Sequence, residues 1–232
     1  MKSIKLIAAA AALTISSVAV AGPSYTYIDG GIVLGASSGD DKETQGLALR
    51  GSFGFANIWH IGAGIAGGES NGGKSKLVGA DFSSANLYVG LNPAMTENLD
   101  LVIRLGIAGG EQKFDAAREL GPGTTLTKDE FAELYLEAGP RGMIGEKFEW
   151  SVLATVAGGE NKVTGTLVGF PQETKSDYRA VSARAGAAYY FTPNMSLGLD
   201  VVIAGDNQRS VTNNGMPYQR EGVADLYFRY SF

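Results

Sequence analysis

From residue 99 onward, large apolar residues alternate with small or charged ones. Leu99, Leu101, Ile103, Leu105 and Ile107 share one parity, and Asp100, Val102, Arg104, Gly106 and Ala108 share the other. A period of two is that of a β-strand with one apolar face. Met195, Leu197, Leu199, Val201 and Ile203 repeat the pattern against Ser196, Gly198, Asp200, Val202 and Ala204, and so do Phe148, Trp150, Val152, Ala154 and Val156 against Glu149, Ser151, Leu153, Thr155 and Ala157. In all three runs charge falls only on the second parity. Runs of this kind predict ten strands, at about 24–36, 44–56, 58–68, 80–91, 98–109, 130–143, 147–158, 177–191, 195–205 and 222–232; eight or twelve are the alternatives. A soluble sandwich buries its apolar faces and wets the charged ones, whereas a closed barrel in lipid turns the apolar parity outward.

The connections fall into two classes. Those near Asn57, 92–97, Gly145-Glu146 and Thr192-Pro193-Asn194 are short, while those near 37–43, 69–79, 110–129, 159–176 and 206–221 are mostly long and polar. Alternation of short periplasmic turns with longer outer loops is the habit of a bacterial transmembrane barrel, and it places both termini in the periplasm. Phe53, Phe55, Trp59, Phe148, Trp150, Tyr189, Phe191, Tyr230 and Phe232 all lie at strand ends beside short turns or the C-terminus, where outward aromatics form a girdle at headgroup level.

One phrase recurs: Ile65-Ala66-Gly67-Gly68-Glu69, Ile107-Ala108-Gly109-Gly110-Glu111, Val156-Ala157-Gly158-Gly159-Glu160, and the variant Ile203-Ala204-Gly205-Asp206-Asn207, with starts 42, 49 and 47 residues apart. Each copy ends an alternating run, so the repeating unit is a hairpin rather than a solenoid turn.

Composition narrows the class. Of 232 residues, 44% are hydrophobic and 19% charged, which fits neither a disordered chain nor a bundle of membrane helices, and no apolar run approaches the roughly 18 residues such a helix needs. The 33 glycines are about twice the usual share, as tight bends and close strand approach in a barrel demand. Absence of cysteine excludes a disulfide framework, thiol catalysis and zinc-thiolate sites. Lys2 and Lys5, the apolar stretch 6–15 and Ala19-Val20-Ala21 before Gly22 have the layout of a secretory leader cut after Ala21. Two domains of processing follow: a leader, 1–21, and a mature barrel, 22–232. Loss of the two lysines takes the formal charge from −5 to −7, and an acidic exported chain has no electrostatic case for nucleic acid.

The chain closes on Leu226-Tyr227-Phe228-Arg229-Tyr230-Ser231-Phe232. This resembles the last strand of bacterial outer-membrane barrel proteins, in which a terminal phenylalanine and alternate apolar residues before it, here Phe232, Tyr230, Phe228 and Leu226, are read by the barrel-assembly machinery. With the leader and the strand train, the resemblance covers the whole chain. It is similar to the small outer-membrane proteins of the OmpA/OmpX and opacity-protein type, or to a small porin; the former generally have eight strands where ten are counted here. The resemblance implies the outer membrane as location, its lipid and the assembly machinery as partners, and no cofactor.

Candidate chemistry is thin. Gly62-Ala63-Gly64-Ile65-Ala66-Gly67 matches G-x-G-x-x-G, but polar loop follows it where a nucleotide site needs a helix. His60 is the single histidine. The ten-stranded omptin proteases and the lipid-cleaving enzymes of the same membrane use a histidine, but at the outer rim, and His60 falls at the periplasmic start of its strand. The inward parity is more informative: it carries Arg50, Arg104, Arg141, Arg184 and Arg229 with Asp29, Asp100, Glu133, Glu137, Glu149, Asp200 and Asp225. Five guanidinium groups and seven carboxylates form either a salt-bridged plug or the constriction of a polar channel, with a net lumen charge of −2. Inward Gly62, Gly64, Gly106, Gly186 and Gly198 are expected to leave space for a thin water path, which Arg104→Ala or Arg184→Ala should enlarge. The outer loops hold Asp40-Asp41, a stretch from Phe114 to Leu120 able to form one or two helical turns, and Asn213-Asn214-Gly215. The expectation is a non-enzymatic membrane barrel with a structural or surface-interaction role through its outer loops. A narrow diffusion channel is the alternative, and a surface hydrolase stands further off.

Overall fold

The computed structural model describes residues 23–37, 43–70, 80–121, 124–167, 169–204 and 221–232. The leader with Ala19, Ala21 and Gly22, the pair Asp40-Asp41, the fourth repeat from Gly205 and the segment Asn213-Asn214-Gly215 lie outside these residues. The elements are β1 (Tyr27–Ser37), β2 (Glu43–Phe55), β3 (Trp59–Ser70), β4 (Ala80–Leu91), the short β5 (Ala94–Thr96), β6 (Leu99–Gly121), β7 (Thr124–Ile144), β8 (Phe148–Leu167), β9 (Phe170–Thr192), β10 (Met195–Ala204) and β11 (Glu221–Ser231). Every long strand pairs antiparallel with its neighbours in sequence, and β1–β11 and β4–β6 pairing close the ring. The result is a closed barrel of ten strands, with β5 a small flap on the start of β6.

The pleat faces the way the alternation requires. Ile28, Ile32, Leu47, Ile65, Leu87, Leu105, Ile107, Leu134, Val152, Leu197 and Leu226 are exposed on the outer wall, whereas Asp29, Arg104, Glu137, Arg141, Glu149, Asp200, Asp225 and Arg229 are buried within. A wall of exposed leucine, isoleucine and valine around a charged interior inverts the usual globular arrangement, and lipid is the solvent that makes it favourable. The chain is therefore a membrane-spanning barrel. Of the girdle aromatics, Phe53, Phe55, Trp59, Phe148, Tyr189, Phe191, Tyr230 and Phe232 are exposed on that wall and Trp150 is half-buried. The first described residues and the C-terminal residue meet at this same end, where Phe232 N–H donates to the carbonyl of Thr26 at 3.0 Å.

Four strands overturn the loop assignment. A span needs about 9–11 strand residues, which β1, β10 and β11 match at 11, 10 and 11, but β6, β7, β8 and β9 have 23, 21, 20 and 23. Most of 110–129 and 159–176 is strand, including Phe114–Leu120, which forms no helical turn. These strands continue beyond the apolar band as a four-stranded ribbon in which neither face is a continuous apolar wall, so no apolar alternation marks them. Ion pairs line the ribbon: Lys113 on the same strand and Lys128 across from it reach Glu111 at 2.6 and 2.8 Å, and between β8 and β9 Lys162 reaches Glu173 at 3.0 Å and Lys175 reaches Glu160 at 3.1 Å. Hydrogen bonds from Lys113 and Lys128 hold the Glu111 carboxyl down at about 2, so it is ionised throughout the physiological range.

The glycine phrase marks the level where the spanning wall gives way to this ribbon. A Cβ on Gly68, Gly110 or Gly159 would run into the backbone carbonyl of Gln45, Ser83 or Ala132 on the adjacent strand. Glutamate follows each pair because the wall has left the lipid there. Adding one methyl group at a backbone contact forces the strands apart, so Gly68→Ala, Gly110→Ala and Gly159→Ala are each expected to destabilise the barrel by about 1–3 kcal/mol. Gly158→Ala, whose Cβ would stand 3.7 Å from the nearest carbonyl, should be close to neutral. Urea unfolding in lipid vesicles measures both; equal effects at Gly158 and Gly159 would remove the steric account.

Candidate functional site

The interior is built by register. Asp29 on β1 stands opposite Arg50 on β2 and Arg229 on β11. Arg104 on β6 faces Glu137 on β7, and Asp100 faces Arg141. Asp200 on β10 sits opposite Asp225 on β11, a like-charge pair that Arg50 bridges, with Nη1 at 3.3 and 3.0 Å from the two carboxylates.

From these pairs a continuous chain crosses the bore. Asp29 accepts from Arg50 Nε at 2.7 Å and from Arg229 Nη2 at 3.1 Å. Arg229 Nη1 donates on to Glu149 at 3.1 Å, and Glu149 accepts two bonds from Arg141, at 3.1 and 2.9 Å, and one from Tyr190 at 2.9 Å. Arg104 Nη1 donates to Glu137 at 2.7 Å, and Arg184 stands 3.7 Å from the same carboxylate. The structure thus places all twelve charged residues singled out by parity inside the barrel. Five arginines meet five carboxylates; the other two, Asp100 and Glu133, accept instead from Tyr25 at 3.0 Å and Tyr178 at 2.6 Å.

The end of the barrel at Phe232 is closed by residues 23–26, which precede β1. Pro23 and Tyr25 are buried, and Tyr25 packs with Val102 of β6 and Leu153 of β8. Its hydroxyl reaches Asp100, its ring lies 4.9 Å from that of His60, and the Arg141 guanidinium sits 4.6 Å above it. Arg141 also donates to the carbonyl of Ser24 at 3.0 Å. Since β6 and β7 lie across the ring from β1, residues 23–26 span the bore.

The space beside each inward glycine is taken by a neighbouring side chain. A Cβ on Gly62, Gly106 or Gly198 would strike the ring of its cross-strand partner, Tyr88, Tyr135 or Tyr227. Gly186 seats Asp200 and Ser151, and Gly64 packs against Arg50 and Asn86. Each glycine is the floor on which a larger side chain lies flat, a device that recovers the packing a bare strand position lacks. Charge parity alone misses these tyrosines. The signal was there: Tyr27, Tyr135, Tyr190 and Tyr227 share the parity of the inward charges on their own strands.

His60 is fully buried among Tyr25, Tyr88 and Arg104. Arginine only donates, so Nε2 accepts from Arg104 Nε at 3.3 Å, and Nδ1 carries the proton toward Asn92 Oδ1 at 3.2 Å. Both ring nitrogens are engaged. Among the described residues no group of three or more histidine, aspartate or glutamate side chains is arranged to hold a metal ion. The terminal-strand residues Leu226, Phe228, Tyr230 and Phe232 point outward from the wall.

No family model matches the chain and no curated protein matches its sequence. Solved structures similar in shape include Ail, the attachment invasion locus protein of Yersinia pestis, at 14% identity and TM-score 0.40, covering 90% of this chain and 97% of Ail. Neisserial surface protein A stands at 13% identity and TM-score 0.41, with 89% and 96% covered. The Ralstonia pickettii toluene transporter TbuX stands at 8% identity and TM-score 0.42, with 90% of each chain covered. All are distant in sequence, and the barrel rests on its own closed pairing.

Proposed function

We propose that the chain is a non-enzymatic barrel of the bacterial outer membrane, delivered by a leader cut after Ala21 and assembled through its Leu226–Phe232 strand, with both termini in the periplasm. The bore is closed in the resting state, and the protein acts at the cell surface through the ribbon formed by β6–β9 and its loops. The observation that carries this reading is the unbroken chain of charge-assisted bonds from Arg50 through Asp29, Arg229 and Glu149 to Arg141, which fills the cross-section with paired charge. A ten-stranded barrel is near the size that side chains fill, far below the sixteen strands or so of an open pore. Refolded protein in a planar bilayer is expected to show little or no steady conductance; a large, stable one would establish the diffusion-channel reading instead.

The engaged nitrogens of His60 support the absence of hydrolysis, since a general base needs a free lone pair within reach of substrate. The refolded barrel should cleave neither peptides nor phospholipids. Cleavage that disappears on His60→Ala would make it a hydrolase.

A further inference from the structure

Beyond the sealing layer, the bore contains a cavity of about 260 Å³, lined among others by Arg50, Asn86, Tyr135, Thr155 and Arg184. Its hydrogen-bonding capacity is unevenly used. Every carboxylate that lines it has a donor: Glu133 has Tyr178, Glu137 has Arg104 and Thr155, Asp200 has Arg50, and Glu149 has Arg141, Arg229 and Tyr190. The shortfall falls on guanidinium groups. Arg50 Nη2, Arg141 Nη1 and Arg184 Nε are buried nitrogens without a partner, on three residues that line this same cavity. A buried donor left unmade is costly, and such a group calls for a water, an ion or a ligand.

We propose that this cavity is a binding site for a small oxoanion, a monocarboxylate in particular, and that Arg184 is the residue that engages it. Of the five interior arginines Arg184 is the most accessible, with a third of its side chain exposed, and its one carboxylate contact among the described residues, to Glu137, is long at 3.7 Å. A planar guanidinium with a free edge is the group best shaped for a carboxylate. Tyr88, Tyr135 and Tyr227 line the cavity and supply phenol faces and hydroxyls for the body of such a ligand. Glu133, on the same wall, repels a second negative charge, so a monoanion is favoured over a dianion. The volume lies just under the roughly 300–1,000 Å³ of ordinary small-molecule sites, which limits the ligand to a few carbon atoms or one sugar ring.

The inference rests on the bore being closed at its terminal end, so that the cavity is a cup rather than a stretch of channel. Equilibrium binding tests it separately from conductance. The refolded full barrel in detergent micelles is titrated calorimetrically with sodium glucuronate, with glucose as the neutral counterpart, and with inorganic phosphate. Glucuronate should bind saturably at one site, glucose at least about tenfold more weakly, and Arg184→Gln should weaken glucuronate about tenfold or more, as loss of a charged hydrogen bond implies. Lys175→Gln on the distant ribbon should leave binding unchanged. Phosphate binding that matches glucuronate would overturn the carboxylate assignment in favour of a free-phosphate site. Equal binding of glucose and glucuronate, or no binding of either anion, overturns the site altogether, and this comparison needs only the wild type should Arg184→Gln fail to fold.

Discussion

Glu149→Ala is expected to destabilise the folded barrel by about 3–5 kcal/mol, the range for removing one partner of a buried ion pair. The carboxylate of Glu149 accepts four bonds, two from Arg141 and one each from Arg229 and Tyr190. Without it, Arg141 keeps only the carbonyl of Ser24 and its stacking on Tyr25 and Tyr27, and Arg229 keeps only Asp29 and its stacking on tyrosine rings. Both guanidinium groups are at least nine-tenths buried. The measurement is urea unfolding in lipid vesicles, followed by the heat-modifiable migration of the folded form. Glu111→Ala, at the exposed ion pairs of the ribbon, provides the contrast and should leave stability close to that of the wild type. Adding Arg141→Met to Glu149→Ala should recover part of the loss, because an unpaired charge has then been replaced by an apolar chain of similar length. A loss below about 1 kcal/mol for Glu149→Ala alone would mean that water reaches this layer, and the seal would have to be given up.

How much of this arrangement was legible in the sequence depended on the solvent each residue meets. Wherever one strand face meets lipid and the other the bore, as from Leu99 to Ala108, alternation identified the strand, its register and its facing. Arg104 and Leu105 lie on the faces that their parity demands. Where neither face is a continuous apolar wall, as from Gln112 and from Asn161 outward, the same strands carried no periodic signal and read as loop. Parity also could not show how deep an inward residue sits. Arg104 and Arg184 look alike in the sequence, yet one is buried against Glu137 and His60 while the other keeps a third of its side chain exposed in the cavity that both line. Arg104→Ala therefore takes from Glu137 its short buried ion pair, whereas Arg184→Ala widens space already present and should not enlarge conductance. Inward glycines misled for a related reason: the side chain that fills each one belongs to the next strand, and only the register reveals it.

The largest change in transport is expected from a pair of substitutions that individually do little. Tyr25 lies four residues before Asp29 on the same run of chain, so two obstacles stand in series along the bore: the ring of Tyr25 with Asp100 and Arg141, then the layer of Asp29, Arg229 and Glu149. Flow through a series is limited by the narrowest point. Tyr25→Ala removes the first and leaves the second, and Arg229→Ala does the reverse, so each alone should give at most small, flickering currents in a planar bilayer. The double variant should conduct steadily, with an increment several times that of either single one. It should also prefer cations, because Tyr25→Ala strips the hydrogen bond from Asp100 while Arg229→Ala removes a positive charge from the bore. Adding Asp100→Asn should reduce that preference without narrowing the path, since the two side chains have nearly the same volume. Reversal potentials in a salt gradient read the preference, and single-channel recordings read the increment. If Tyr25→Ala alone opens the barrel fully, the arginine layer is not a barrier and the N-terminal segment is the whole seal. If the double variant remains closed, the closure lies higher, at Arg104 and Glu137, where His60 and Tyr88 narrow the bore from the facing strands.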